Sequence, residues 1–406
     1  MAEEGATFHM SSGVGFGVFE GVVDFRLPPN FEWVAEEGWD KRRLRLGGMV
    51  SVMTNIWVNY SRDILQGTQE ILAASGLKEL VKPQMKVSIK PNLVLAKAAS
   101  SGATTHPEIV EGIICYLKEL GIQDIEIIES SWIGDDTKRA YRVCGYEDLR
   151  KKYGIPLFDL KEDELVVIGG MEICRKAIET DFLINVPVLK AHCQTSLTCC
   201  MKNLKGCISD REKRRFHTQG LHRPIAALNK AIKTHFSVID GICGDLSFEE
   251  GGSPVERNMI LGGSDSLFLD SYCAQLIGYQ TDEIDYLTYG NQLGIGELFE
   301  SGRDDSRIIE LNQEKKPKLT KADRNTVRNI AKYIEEDQAC SACYSALVYA
   351  LYNSRHKPTE KIRVGQGFIG KRGELGCGNC TSKFKKFIPG CPPKAVDIVE
   401  FCEAKI

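Results

Sequence analysis

Short apolar runs alternate along the middle of the chain with longer segments in which apolar residues recur every three or four positions. Three of the runs have the length of a β-strand: residues 86–89, 125–128 and 182–186. Residues 106–120 predict a helix, because Ile109, Ile113 and Leu117 share one face at helical spacing. This alternation predicts an α/β fold around a mostly parallel sheet. Ligands of such sheets bind beyond the carboxyl ends of the strands, so polar residues at those ends are candidates for a site.

Shifts in composition divide the chain into four segments. Residues 1–62 are rich in glycine and aromatic residues and indicate no function. Residues 63–310 carry the α/β pattern and are expected to hold an anion or substrate pocket. Residues 311–330 are polar and charged and predict a linker, and residues 331–406 predict a small cysteine-rich module that binds a metal centre.

Composition excludes several classes of protein. The 406 residues carry a formal charge of −3, which excludes a nucleic-acid binder that works through bulk positive charge. No apolar run approaches the roughly 18 residues of a membrane span, and the first ten residues lack the basic start of a secretory signal. We therefore expect a cytoplasmic protein that binds neither nucleic acid nor membrane. No G-x-G-x-x-G motif follows the first predicted strand, and the sequence contains neither the G-x-x-x-x-G-K-[ST] motif of nucleotide sites nor the G-x-S-x-G motif of serine hydrolases.

The cysteines near the C-terminus come in paired spacings. They are Cys340 and Cys343, then Cys377 and Cys380, then Cys391 followed by Pro392. A C-x-x-C pair places two thiolates on one centre, so two pairs could form a tetrahedral zinc site and would leave Cys391 unused. A cysteine followed by proline is common at the end of an iron–sulfur ligand run. The spacing therefore favours a [4Fe-4S] cluster on Cys340, Cys343, Cys380 and Cys391 with Cys377 as a substitute, and zinc is the alternative.

A second group of polar residues follows the predicted strand at residues 182–186. It contains Lys190, His192, Thr195, Thr198, Lys202, Asn203 and Lys205. If residues 192–204 are helical, the imidazole, the two hydroxyls and the first ammonium after them share one stripe. Such a stripe suits a carboxylate or a phosphate, whereas the plainer interpretation is a solvated helix face.

Two further polar stretches follow the strand at residues 86–89. Lys90 and Asn92 come directly after that strand, and Thr105 and His106 open the next predicted helix. Thr105 is at least partly explained as a helix cap. His106 would lie at the positive end of the helix, which disfavours an imidazolium and predicts a neutral base or hydrogen-bond donor.

These stretches resemble the family of uncharacterised iron–sulfur proteins called domain of unknown function 362. The matching segments are Lys90-Pro-Asn92, Thr104-Thr-His106-Pro-Glu, Glu129-Ser130, Lys190-Ala-His192, Lys202-Asn-Leu-Lys205-Gly-Cys207 and Asp240-Gly241, within residues 80–310. The resemblance implies a Rossmann-like α/β domain and a [4Fe-4S] cluster. The tail differs from the dense C-x-x-C-x-x-C run of ferredoxin-type members.

The leading hypothesis is an iron–sulfur oxidoreductase that acts on a small anionic substrate. Lys90, Lys190, Lys202 and Lys205 would bind the anion, and His106 and His192 would move protons. We expect an electron donor such as a ferredoxin as a partner. We also expect the chain to assemble into a homo-oligomer. One alternative is a non-redox lyase, isomerase or ligase with a structural or Lewis-acid metal centre, and another is an electron-transfer or binding protein.

Overall fold

The computed structural model describes residues 54–317, 320–322 and 324–404. Residues 1–53, which make up most of the predicted N-terminal segment, lie outside the described part. The short apolar runs at residues 17–19 and 22–23, which are compatible with a small hairpin, fall among them.

The β-strands of the described residues are short, apart from two of ten residues. In chain order they are β1 (Ile56–Tyr60), β2 (Val87–Pro91), β3 (Ile125–Glu129), β4 (Leu157–Asp159), β5 (Leu165–Ile168), β6 (Met171–Cys174), β7 (Phe182–Val186), β8 (Lys190–His192), β9 (Ser196–Thr198), β10 (Phe236–Asp245), β11 (Pro254–Gly263), β12 (Ile308–Glu310), β13 (Ile334–Glu336), β14 (Ile362–Val364), β15 (Leu375–Cys377) and β16 (Lys386–Ile388).

The α-helices of the same residues run from one to about three and a half turns. They are α1 (Ile64–Ala74), α2 (Leu77–Leu80), α3 (Pro107–Glu119), α4 (Thr137–Val143), α5 (Tyr146–Tyr153), α6 (Lys176–Glu179), α7 (Cys200–Asn203), α8 (Asp210–Thr218), α9 (His222–Ala231), α10 (Ser266–Leu276), α11 (Asp285–Gln292), α12 (Arg324–Ala331), α13 (Ser341–Asn353) and α14 (Ala395–Glu403). None of them combines the length and the apolar character that a membrane crossing requires.

The large sheet has eight strands in the order β12-β1-β11-β10-β7-β2-β3-β4. Its pairs are parallel except on either side of β11, which runs antiparallel to both β1 and β10. The prediction of an α/β fold around a mostly parallel sheet is therefore confirmed. Both faces are covered, since Phe182, Ile184 and Val186 of β7 belong to one apolar cluster and Leu183 to the other.

The sheet extends beyond the predicted limits of the α/β segment. β1 lies before the boundary predicted after residue 62, yet it pairs with β11 and β12 inside the sheet. Helix α12 occupies the end of the stretch 311–330 that was predicted as a linker. The glycine-rich and charged surroundings concealed these elements, because β1 has only five residues and α12 only eight.

A second sheet is built from the C-terminal residues. Its four strands pair in parallel in the order β13-β14-β15-β16. Helices α13 and α14 pack against each other and share an apolar core with these strands. Cys377 of β15 and Cys402 of α14 are buried within that core.

The helix predicted over residues 192–204 is wrong in its first half. β8 and β9 form an antiparallel hairpin there, with Lys190 opposite Thr198 and His192 opposite Ser196. Ser196 has a φ of +64°, a conformation that a helix does not contain. Helical geometry begins only at Cys200, where the one-turn helix α7 starts. The polar residues of this segment are consequently brought together by a tight hairpin and by neighbouring loops.

Candidate functional site

A cavity of about 100 Å³ lies at the carboxyl ends of β2 and β3, beside the β8–β9 hairpin and α7. This volume holds several water molecules or a small anion. The ionisable residues in its wall are Lys90, Glu129, Lys190, Lys202, Lys205, Lys213, His217, Glu249 and Cys340. Among the site residues predicted from sequence, Asn92, Thr198 and Asn203 also lie in this wall. Five lysines but only two carboxylates therefore line this small cavity.

Lys90 is neutralised by Glu129 at the end of the neighbouring strand. The Lys90 ammonium lies 2.9 Å from Glu129 Oε1 and donates to the carbonyl of Pro91. The backbone N–H groups of Leu93 and Ser130 donate to the same carboxylate. The pair is packed against Gly206, where a Cβ would come within 2.2 Å of the carboxylate and 2.6 Å of the ammonium. Glycine is thus required at this position by close approach of a buried ion pair.

Glu249 joins His192 to Lys202. Glu249 Oε2 lies 2.7 Å from His192 Nε2 and 2.9 Å from the Lys202 ammonium, which also donates to Thr198 Oγ1. His192 Nδ1 accepts from the backbone N–H groups of Gln194 and Thr195, so its other nitrogen carries the proton. Burial lowers the pKa of His192 to about 4, with Glu249 opposing the shift. Burial alone would raise the pKa of Glu249, but His192 and Lys202 hold it well below the ordinary value.

Lys190 is held by backbone carbonyl groups. Its buried ammonium donates to the carbonyls of Ala103 at 2.6 Å and Glu249 at 2.9 Å. Burial lowers the pKa of Lys190 to about 8, with the charge of Glu249 opposing the shift and that of Lys202 adding to it. Lys190 therefore exchanges its proton far more readily near neutral pH than an exposed lysine does.

Lys213 and Lys205 differ in how they are paired. The Lys213 ammonium donates to Ser130 Oγ, to the carbonyl of Ser131 and to Asp210. The described residues place no carboxylate within 4.0 Å of the Lys205 ammonium, whose neighbour is His217 Nε2 at 3.5 Å. Burial and then the charge of Lys202 lower the pKa of Lys205 to about 7. Burial and then Lys205 lower the pKa of His217 well below its ordinary value, and His217 Nδ1 is buried without a hydrogen-bond partner.

His106 lies outside this wall and has a partner of its own. It forms the N-cap of α3, and both its Nδ1 and its backbone N–H approach Asp240 Oδ2, at 2.8 and 2.7 Å. Burial alone would lower the pKa of His106, but Asp240 outweighs burial and raises the pKa to about 10. The prediction of a neutral imidazole is therefore wrong, because a buried carboxylate has a larger effect than the helix terminus.

The two predicted threonines that lie outside the wall act through the backbone. Thr105 Oγ1 accepts from the N–H of Asn92 and donates to the carbonyl of Val186, which ties the ends of β2 and β7 together. Thr105 does not cap α3, whose N-cap residue is His106. Thr195 lies in the turn of the β8–β9 hairpin, where its backbone N–H donates to His192.

The cysteines of the tail gather beside the lysine cavity. Electrostatic effects on the pKa values of these thiols connect all six pairs among Cys340, Cys343, Cys380 and Cys391. Burial raises the pKa of Cys340 to about 11, with Cys380 and Cys391 adding to the shift and Lys205 opposing it. Cys377 lies in the apolar core of the tail, near Cys343. Cys340 is the member of the group that lines the cavity.

A second set of thiols lies inside the large domain. Cys199, Cys200 and Asp270 bring their possible ligand atoms within 4.8 Å of one another. Asp270, however, accepts from the backbone N–H groups of Cys200 and Met201 and thereby caps α7. All three residues are fully buried, and burial raises the pKa of both thiols well above the ordinary value. The backbone N–H groups at the start of α7 thus satisfy the buried Asp270 carboxylate.

Sequence patterns alone did not identify Glu249 or Lys213 as members of the site. Glu249 belongs to a Glu-Glu-Gly-Gly run between β10 and β11 that has the composition of an exposed turn. Lys213 and His217 lie four residues apart on α8, in a basic stretch that resembles a solvated face. The signal that could have marked these residues is their position along the chain. Glu249 follows the end of strand β10, and helix α8 follows helix α7, which lies beside the strand ends.

The fold and cavity define an α/β protein with a buried, lysine-rich site at the carboxyl edge of its sheet. Residues 87–275, from β2 to α10, match the model of the family described as Domain of unknown function (DUF362). Residues 87–275 of the chain are therefore similar to this family's domain. A thylakoid-associated protein of Synechocystis sp. is 24% identical over 235 residues, a match that covers 54% of this chain and 71% of the relative.

Two solved structures are distantly similar. The lactate racemase apoprotein from Thermoanaerobacterium thermosaccharolyticum has a TM-score of 0.37 at 15% identity, over 55% of this chain and 57% of that one. A structural-genomics protein from Thermotoga maritima has a TM-score of 0.31 at 12% identity, over 56% of this chain and 58% of that one. The chain thus matches little more than half the length of either protein. At these TM-scores we base neither fold nor function on the similarity.

Proposed function

We propose that this protein is an iron–sulfur oxidoreductase that acts on a small anionic substrate. One observation carries the proposal: Cys340, which belongs to a group of four interacting tail cysteines, lines the same cavity as five lysines. A redox centre transfers electrons efficiently only at short range. A cluster bound through Cys340 would meet that requirement, because Cys340 lies in the same cavity wall as the lysines that would bind the substrate.

The sulfur arrangement fits a cluster better than a single zinc ion. Zinc bound at about 2.3 Å to four thiolates in a tetrahedron needs sulfur atoms roughly 4 Å apart. No three of the tail cysteines bring their sulfur atoms within 4.8 Å of one another, although all lie within the described residues. Cys340, Cys343, Cys380 and Cys391 would hold the larger group, and Cys377 would remain in the apolar core. A cluster at this position supplies single electrons.

The chain's own residues would bind the substrate and exchange protons with it. The lysine ammonium groups attract and orient the anion, because the cavity wall carries more positive than negative charge. Lys190 and Lys205, with pKa values of about 8 and 7, are suited to proton transfer near neutral pH. His192 lies behind Glu249 and is proposed as a positioning residue that fixes this carboxylate.

A non-redox enzyme is the second candidate, and the closed Glu129 and Glu249 networks favour it. Both carboxylates and their lysines are held without any contribution from the tail cysteines. Acid–base chemistry on an anionic substrate could therefore proceed with the metal centre in a structural role.

The test is purification of the full chain without oxygen, followed by iron and sulfide analysis and an electron paramagnetic resonance spectrum after reduction. We expect about four iron and four sulfide per chain and a signal that appears on reduction. Cys340→Ser should lose most of the iron, whereas Cys377→Ser and the matched control Cys115→Ser should retain it. Stoichiometric zinc without sulfide would refute the proposal, and a cluster that resists reduction while activity persists would favour the non-redox enzyme.

A further inference from the structure

The lysine cavity has more hydrogen-bond donors than its own acceptors can satisfy. An ammonium group has three N–H donors. Lys90 and Lys202 each make two hydrogen bonds to protein groups within the described residues, and so does Lys190. Each of these lysines keeps one donor, whereas Lys213 uses all three. Lys205 keeps two, since its neighbour is the single nitrogen of His217.

The charges of the wall are unbalanced in the same direction. Glu129 neutralises Lys90, Glu249 neutralises Lys202, and Asp210 neutralises Lys213. Lys190 contacts only carbonyl oxygens, and Lys205 has no carboxylate within 4.0 Å in the described part of the chain. Two ammonium groups that no carboxylate of the described residues contacts, in a small, largely buried space, are stabilised when a ligand supplies further negative charge.

His217 adds an independent sign of a missing ligand. It lies in the cavity wall and is 7% exposed. Its Nδ1 is buried and has no hydrogen-bond partner. If Nε2 accepts from Lys205, then Nδ1 carries the proton and is a donor. A buried imidazole N–H without an acceptor is rare in native proteins, so an acceptor from outside the described residues is expected here.

The free donors belong to side chains that line the space from several elements. They come from Lys90 at the end of β2, Lys190 on β8, Lys202 on α7, Lys205 just after α7 and His217 on α8. Among the described residues the lining contains no arginine, the side chain that matches the plane of a carboxylate with two parallel hydrogen bonds. Point-like ammonium donors arriving from different directions suit a group whose acceptor oxygens also point in several directions.

We propose that the cavity binds a tetrahedral dianion, an inorganic phosphate or the phosphate group of a monoester, with Lys205 and His217 as its specificity-determining residues. This inference rests on the proposed function only in using the same cavity, and it narrows the substrate from small anions in general to phosphate. The dianion compensates Lys190 and Lys205 and accepts the N–H donors that the wall leaves free.

Calorimetric titration of the full chain with inorganic phosphate tests the proposal. We expect saturable binding of phosphate and of sulfate, and at least tenfold weaker binding of malonate, a dicarboxylate whose charge matches that of the phosphate dianion, and of acetate. Lys205→Met and His217→Phe should each weaken phosphate binding at least tenfold, while Lys233→Met, an exposed lysine outside the wall, should leave the affinity unchanged. Malonate binding as tightly as phosphate, or no saturable phosphate binding, would overturn the proposal.

Thermal unfolding gives a readout that a misfolded variant cannot imitate. Phosphate should raise the Tm of the parent protein, because a ligand that binds only the folded state stabilises it. Lys205→Met removes an uncompensated ammonium, so its Tm without phosphate should match or exceed the parent value and should no longer rise on addition of phosphate. A Lys205→Met protein whose Tm rises as much as that of the parent would contradict the role of Lys205. Iron analysis of the same samples reports separately on the proposed cluster.

Discussion

Two histidines of this protein each lie beside a buried carboxylate, yet their pKa values move in opposite directions. Asp240 has His106 as its one basic neighbour in the described structure, and it raises the pKa of that imidazole to about 10. Glu249 is shared between His192 and Lys202. His192 is more deeply buried than His106, and its pKa is about 4. A buried carboxylate keeps a neighbouring histidine protonated only when no stronger base, such as a lysine, shares that carboxylate.

The difference assigns different tasks to the two regions. The pair of His106 and Asp240 is a charged bond that fixes the N-terminus of α3 to β10. The group of His192, Glu249 and Lys202 is a neutral imidazole beside an ion pair, and it places a carboxylate and an ammonium in the cavity wall. The first region therefore contributes to stability, whereas the second prepares a site.

Substitution of Glu249 should have the largest effect. Glu249→Gln leaves the Lys202 ammonium largely buried without its counter-ion, which we expect to lower the free energy of unfolding by about 3–5 kcal/mol. Urea denaturation at pH 7 measures this. Glu162→Gln, which breaks the exposed pair with Lys138, is the control and should leave the stability unchanged. A loss of less than 1 kcal/mol in Glu249→Gln would show that the network is not a buried ion pair.

Substitution of Asp240 should remove a pH-dependent part of the stability. The folded-state pKa of His106 is raised, so its contribution is complete below the unfolded value near 6.5 and is lost as the pH rises towards 10. Asp240→Asn should cost about 1.5–3 kcal/mol at pH 6 and much less at pH 10. Urea denaturation at several pH values checks this, and an equal loss at both ends of the range would contradict the charged pair.

A methyl group at Gly206 should disturb the cavity region alone. Gly206→Ala places a Cβ against the Glu129 carboxylate and the Lys90 ammonium, which cannot move apart without breaking their bond. We expect a loss of about 1–3 kcal/mol, as for other overpacked interiors. Gly121→Ala, where a Cβ meets nothing within 4 Å but φ is +82°, gives the cost of backbone strain without a clash. A smaller loss at Gly206 than at Gly121 would show that the ion pair yields.

The protonation of the two histidines can be observed without any change in stability. Nuclear magnetic resonance of imidazole-labelled protein between pH 5 and 9 should show His106 as an imidazolium and His192 as a neutral ring with its proton on Nε2. His192 resists protonation while the unfolded chain accepts it, so the stability should fall as the pH drops from 6.5 towards 4. A His192 signal that titrates near pH 6.5 would contradict its burial beside Lys202.

The local elements and the cavity lysines could be predicted from the sequence to different degrees. β7 lies at residues 182–186 as predicted, because four of its five residues are apolar, a composition that suits a parallel strand covered on both faces. The segment at residues 192–204 was predicted as a helix from polar residues spaced three and four positions apart. The same spacing occurs in a hairpin whose two strands present their side chains on one face. Ser196 at positive φ decides for the hairpin, and nothing in the residue types signals it.

The sequence by itself determined that the chain forms apolar strands and amphipathic helices, that lysines follow the strands and that cysteines are paired in the tail. These properties depend on neighbours within about seven positions, which the chain carries with it. Only the tertiary structure decided which carboxylate meets which base, that Cys340 lines the lysine cavity and that His106 does not. Charge and acidity depend on burial and on atoms within a few ångströms, and residues far apart in sequence, such as Lys202 and Glu249, supply those atoms.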